Sequence, residues 1–190
     1  MPIGVLALQG DFERHIKALT GCGYESFEVR NRSELESADA LVIPGGESTT
    51  MLKLIDRYDL RDTLVKLIGD GLPVFGTCAG AIVIATETSD GEQPLGVLDM
   101  DIERNAYGRQ AESFEAVLEV ADIKGGPIEA VFIRAPVINR VSDAARVLAW
   151  WADQPVLVVD GNIMVATFHP ELSGDFRIHQ YFVHSLVKAV

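Results

Sequence analysis

The sequence predicts an α/β fold of three layers, in which an open, mostly parallel sheet is flanked by helices and an antiparallel portion is added late in the chain. Three observations predict it. Short, wholly apolar runs at residues 3–8 and 40–43 have the composition of parallel strands covered on both faces. Turn residues and then amphipathic helical patterns follow such runs, and this β-α alternation builds doubly wound sheets. A further run, residues 72–75, feeds Gly76-Thr77-Cys78-Ala79-Gly80, a sequence suited to a sharp strand-to-helix turn.

Composition sets the outer bounds. A chain of 190 residues with 48% hydrophobic content has the length of one domain and the means to build a substantial core. A formal net charge of -12 argues against nucleic acid or an anionic membrane as partner, since both call for a basic patch. Cys22 and Cys78 lack C-x-x-C spacing and suggest neither a disulfide framework nor a zinc site; a reducing cytoplasm fits best. The apolar N-terminus is too short to span a bilayer, has no basic flank, and reads as the first buried strand.

In order, the strand at 3–8 leads through Gln9-Gly10-Asp11 into a helix at about 12–19, closed by Gly21-Cys22-Gly23. Residues 24–29 and 40–43 read as the next strands, the latter ending abruptly at Pro44-Gly45-Gly46. Ser48, Thr49 and Thr50 offer N-caps for a helix at 51–58, and a second helix is expected at 60–68. Beyond the helix after Cys78, residues 96–104, 113–120, 130–133 and 147–151 are strand-like. They either extend the sheet or form an antiparallel layer beside the site. Residues 155–159 and 163–168 form a hairpin about Asp160-Gly161-Asn162, whose second strand delivers His169. A last amphipathic helix, 176–188, packs Phe176, Tyr181, Phe182, Leu186 and Val187 against the sheet.

The chemistry-bearing residues fall at strand ends. In the nucleophile-elbow reading, the glycines on either side of Cys78 remove side chains that would clash, and the cysteine sits exposed at a helix N-terminus, where the helix dipole favours thiolate. A thiol nucleophile needs a base, and the base an orienting group. His169 follows an apolar strand, and Glu171, two residues on in extended backbone, lies on the same side; Pro170 keeps His169 extended. The glycines of Gly45-Gly46-Glu47-Ser48 let backbone N–H groups approach an oxyanion. No lysine follows as a phosphate loop requires. Cys22, His15, His179 and His184 read as packing, capping or surface residues.

The elbow, the G-G-E-S turn and H-P-E together resemble a class I, triad-type glutamine amidotransferase, whose sheet is flavodoxin-like. Ala7-Leu8-Gln9-Gly10, Pro44-Gly45-Gly46-Glu47-Ser48-Thr49-Thr50, Glu103-Arg104-Asn105, Gly108-Arg109-Gln110, Ser113-Phe114-Glu115 and Phe132-Ile133-Arg134-Ala135-Pro136 narrow this. They are similar to the PdxT family, the glutaminase subunits of pyridoxal 5′-phosphate synthase. The resemblance implies that Cys78 attacks the side-chain amide of L-glutamine, with His169 as base and acid and Glu171 orienting it. It implies glutamine contacts at Gly46, Glu47, Ser48, Arg104, Ile133 and Arg134, an oxyanion hole from Gly45, Gly46 and Ala79, and neither cofactor nor metal. The implied partner is a (β/α)₈-barrel synthase subunit in a dodecameric core, one glutaminase to each, whose docking would order Gln9, Gly10 and the Gly45-Gly46 peptide. Val159-Asp160 departs from the basic or glutamine residue usual before the hairpin glycine. A cysteine hydrolase of related fold, a glutaminase serving another synthase, and a non-catalytic scaffold are the rival readings.

Overall fold

The computed structural model describes residues 1–104 and 113–187. Its first half alternates as expected: β1 (Ile3–Leu6), α1 (Phe12–Gly21), β2 (Ser26–Val29), α2 (Arg32–Glu36), β3 (Ala40–Ile43), α3 (Ser48–Arg57), α4 (Arg61–Gly69), β4 (Val74–Thr77) and α5 (Ala79–Ile84). The second half is richer in strands: β5 (Ala85–Thr88), β6 (Leu98–Glu103), β7 (Ser113–Leu118), β8 (Ile128–Ile133), β9 (Val137–Val141), β10 (Arg146–Trp151), β11 (Gln154–Asp160) and β12 (Ile163–Ala166). The chain then forms α6 (Arg177–Phe182), which widens into a π-helical turn, Val183–Val187.

Seven strands form the main sheet in the order β10-β11-β12-β4-β3-β1-β2. The five from β12 to β2 are parallel, and β11 and β10 continue the sheet antiparallel. Both faces are covered. Ile3, Val5, Val42 and Phe75 enter one apolar core with Ile178 and Phe182, while Leu6, Leu41, Ile43 and Val74 enter the other with Met51 and Ile55 of α3. The period-two alternation of a strand thus splits each apolar run between two cores, which is why these strands are apolar throughout. The remaining strands form a three-stranded sheet, β5-β6-β9, and the hairpin β7-β8. Both alternatives expected for the late strands are therefore realised, by different strands.

Several local expectations are corrected. Helix α3 starts at Ser48, and its N-cap is Glu47, not Ser48, Thr49 or Thr50: the Glu47 carboxylate accepts from the Thr50 N–H at 3.2 Å and from the Thr50 hydroxyl at 3.0 Å. With Glu47 in the capping role, the helix begins at Ser48, three residues before the expected start. Phe176 is the N-cap residue of α6, and its ring packs on Gly21 of α1. Asn162 in the hairpin turn donates to the Ile68 and Leu72 carbonyls at 3.0 and 2.7 Å, pinning β12 to the loop that enters β4. No helix among the described residues is long and apolar enough to cross a membrane.

Candidate active site

Strand β1 lies between β2 and β3, so the chain runs outward to β2 and then crosses back to β3 and β4 on the other side, and a crevice opens at the carboxyl ends of β1 and β3. Gln9-Gly10-Asp11 follows β1 there, Gly45-Gly46-Glu47 follows β3, Cys78 follows β4, and His169 comes three residues after β12. Four strand ends thus gather residues distant in sequence.

At the elbow, Cys78 has φ 48° and ψ -104°, a left-handed conformation that costs a non-glycine residue on the order of 1–3 kcal/mol. The surroundings hold it there. Cys78 N–H donates to the Ala166 carbonyl at 2.8 Å, and the Cys78 carbonyl accepts from Ala81 N–H at 3.1 Å. A β-carbon on Gly80 would overlap the Ile43 carbonyl oxygen, and one on Gly76 would lie 2.8 Å from the Gly80 oxygen. Both glycines are sterically required. The cysteine is not exposed as expected; it is only 6% accessible. The Gly45 backbone closes over it on one side, and the Ile133 carbonyl lies 3.8 Å from Sγ on another.

His169 Nδ1 stands 2.7 Å from Glu171 Oε1. The contact is made across a turn and not along extended backbone: Leu172 N–H donates to the His169 carbonyl at 3.2 Å, with Pro170 in the first central position that its fixed φ favours. The His169 N–H donates to the Val131 carbonyl at 2.8 Å, tying the site to β8. With Nδ1 committed to Glu171, Nε2 is left for Cys78. Burial opposes charge on His169, but its hydrogen bonds to Cys78 and Glu171 outweigh that and push its pKa up from 6.5 to about 10. Burial likewise raises the Glu171 pKa, yet the opposing effects of His15 and His169 hold it below the ordinary 4.5. The result at neutral pH is an imidazolium between a sulfur and a carboxylate.

The Gly45 α-carbon lies against both Cys78 and His169, leaving no space for a side chain. Its carbonyl is turned toward the β1 loop, where it accepts from Asp11 N–H at 3.2 Å, so the Gly46 N–H of the same trans peptide points the other way. Gln9 Oε1 accepts from Glu47 N–H at 2.9 Å. Gln9 and the backbone after Gly10 thus brace this turn.

A cleft of about 340 Å³ opens beside Cys78 and His169. All six residues implied to contact glutamine, Gly46, Glu47, Ser48, Arg104, Ile133 and Arg134, line it, as do Gly45 and Ala79. The Arg104 guanidinium meets Glu47 at 3.0 Å, Asp90 at 2.7 Å and Glu92 at 2.8 Å. Arg134 has φ 43° at the end of β8. Asn105 and Gly108-Arg109-Gln110 lie outside the described residues.

A family model described as the SNO glutamine amidotransferase family matches residues 5–188. The chain belongs to this family. It is similar to proteins named pyridoxal 5′-phosphate synthase subunit PdxT: 52% identical to one from Pelotomaculum thermopropionicum over all of this chain and 97% of the relative, and 47% identical to one from Kosmotoga olearia over 98% of each. A solved structure described as a glutamine amidotransferase is 48% identical, covers 99% of both chains and superposes with a TM-score of 0.92. The structure of PurLQS from Thermotoga maritima, 17% identical over 97% of this chain and 98% of its own with a TM-score of 0.68, shares the fold.

Three features of this SNO-family site escape sequence reasoning. Asp11 and Leu172 line the cleft, Asp90 and Glu92 engage Arg104, and His15 with His179 forms a buried string behind Glu171. For Asp11 and Leu172 a signal existed, since each adjoins a motif. For the others none did, because their partners come from remote segments.

Proposed function

We propose that this chain, acting as a single glutaminase domain, hydrolyses L-glutamine to L-glutamate and ammonia and passes the ammonia to a synthase subunit that makes pyridoxal 5′-phosphate. The observation that carries the reading is the buried string Cys78–His169–Glu171 beneath the Gly45 turn. Membership of the SNO family and the PdxT relatives support the substrate and the partner. The Cys78 sulfur attacks the amide carbon, and the oxyanion is received by N–H groups of Gly46 and Ala79, with Gly45 giving them room. His169 protonates the departing nitrogen, then takes a proton from the water that cleaves the thioester. Gly46, Glu47, Ser48, Arg104, Ile133 and Arg134 hold the glutamine.

The partner we assign is a (β/α)₈-barrel subunit of a dodecameric core, one glutaminase to each, meeting the edge that carries Gln9 and Gly10. We place the reaction in the cytoplasm, where a free thiol stays reduced. Mixing the chain with a synthase subunit, glutamine, ribose 5-phosphate and glyceraldehyde 3-phosphate tests this: pyridoxal 5′-phosphate is expected, and Cys78→Ala is expected to abolish both it and glutamate release. An unchanged rate in Cys78→Ala would overturn the assignment.

A further inference from the structure

Behind the triad, on the side away from the cleft, three side chains are wholly buried: His15 of α1, His179 of α6 and Thr77 of β4. His15 Nδ1 lies 3.0 Å from His179 Nε2, and His15 Nε2 lies 3.1 Å from Thr77 Oγ1 and 3.4 Å from Glu171 Oε2. Glu171 Oε1 is held by His169, but Oε2 has no partner of ordinary hydrogen-bond geometry among the described residues; His15 Nε2 is the nearest donor shown. Phe75 braces the pair, with ring centroids 6.4 Å from His15 and 5.8 Å from His179.

Only one arrangement of protons suits these distances. If Thr77 donated to His15 Nε2, the Glu171 carboxylate would face a lone pair. His15 Nδ1–H would then donate to His179, leaving His179 Nδ1–H buried without an acceptor. In the reverse order, His179 Nε2–H donates to His15 Nδ1, and His15 Nε2–H points at Glu171 Oε2 and Thr77. The atom left over is then a bare nitrogen lone pair, which costs less. Both imidazoles are neutral in this order. Burial, the largest influence on each, pushes both pKa values down, His179 to about 3.

We propose that His15 is a positioning residue for the triad, its Nε2–H anchoring the second oxygen of Glu171 while His179 fixes its tautomer. A carboxylate held at both oxygens keeps its charge and its aim at His169. The titratable groups that face this string are His169 and Cys78 across the site and Asp11 at the head of α1. Without the His15 donor, Glu171 takes up a proton at higher pH, and His169 loses the charge that supports its imidazolium.

This inference rests on the glutaminase reading, and one set of measurements separates them. His15→Phe keeps a ring against Phe75 and removes the donor; His15→Gln restores an N–H near the Nε2 position. Glutamine turnover by the complex with synthase is measured across pH, together with iodoacetamide alkylation of Cys78 in the free chain, followed on its peptide by mass spectrometry. For His15→Phe we expect the acid limbs of kcat and of alkylation to move up by about one pH unit. We also expect kcat at neutral pH to fall about tenfold, with KM little changed. His15→Gln returns the limbs toward the parent's. A purely structural histidine would lower amplitudes without moving the limbs, and that result overturns the inference. If His15→Phe does not fold, His179→Phe, which removes the group that fixes the His15 tautomer, is expected to move both limbs up while His15→Gln leaves them near the parent's; unmoved limbs in His179→Phe overturn the inference. Full turnover in Cys78→Ala would instead overturn the glutaminase reading itself.

Discussion

Gly10 presses its α-carbon onto the carbonyl oxygen of Gly45, with no room for a β-carbon between them, while the next N–H, that of Asp11, donates to the same oxygen at 3.2 Å. Gly10 also has φ 94°, a region that side chains avoid. Gly10→Ala must therefore move the Gly45-Gly46 peptide or the β1 loop. We expect turnover of the complex to fall about tenfold or more, with a stability loss of roughly 1–3 kcal/mol. Glutaminase assay beside urea unfolding reads both, and unchanged turnover would show that the peptide needs no buttress.

Gly80 and Gly69 make a contrasting pair. A β-carbon on Gly80 meets the Ile43 backbone, whereas one on Gly69, the last residue of α4, meets nothing within 4 Å. Gly80→Ala should destabilise the chain by about 1–3 kcal/mol through backbone displacement in a packed core. Gly69→Ala should stabilise it by roughly 0.5–1 kcal/mol, because alanine has less backbone freedom to lose. Denaturant midpoints of the two variants decide the point.

Stability should peak near pH 6.5 and decline on either side. Burial depresses the pKa of His15 and His179 in the folded chain, so the unfolded chain binds more protons below pH 6.5 and stability falls as the solution is acidified toward pH 3. His169 has the opposite sign: its folded pKa of about 10 makes its contribution complete below pH 6.5 and lost as pH rises through 10. Each proton is worth about 1.4 kcal/mol per pH unit. Glu171, depressed below 4.5, adds to the acid loss only under that value. Unfolding midpoints at pH 5, 6.5 and 8 should trace this dome, and His179→Phe should flatten its acid side.

Arg104 is 20% exposed, faces the cleft and is already engaged by three carboxylates. Arg104→Ala should raise the KM for glutamine by roughly 10–100-fold, the value of a hydrogen bond to a charged group, with a smaller change in kcat. Cys78 alkylation in the free chain should be unaffected. A fall in kcat at constant KM would assign Arg104 to the reacting end of the substrate instead.

The parts of the site legible in sequence are those whose constraint is local. Gly76 is fixed by overlap with the Gly80 backbone inside one tight turn, and Glu171 by its two-residue distance from His169, whereas the Ile43 backbone that excludes a side chain from Gly80 comes from β3. The burial of Cys78 was not legible, because its roof comes from Gly45 and Ile133, on other strands. Nor were the partners of His15, since Thr77 and His179 arrive from β4 and α6. Among the elements, β9 is hidden in the sequence because Asn139 and Arg140 interrupt its apolar pattern. Strand β5 is hidden because Ala85 continues the apolar helix before it, and α2 because five residues carry little periodicity.

The place of β12 has a consequence for how the chain comes off the ribosome. It pairs with β4 on one side and β11 on the other, so a late strand fills the middle of the sheet. Until it emerges, β4 offers an open edge that any other extended peptide could pair with. At roughly 5–20 residues per second, the stretch between them holds that edge open for several seconds. Over the same interval Cys78 exists without His169, so under the proposed mechanism a half-made chain has a thiol but no means of using glutamine.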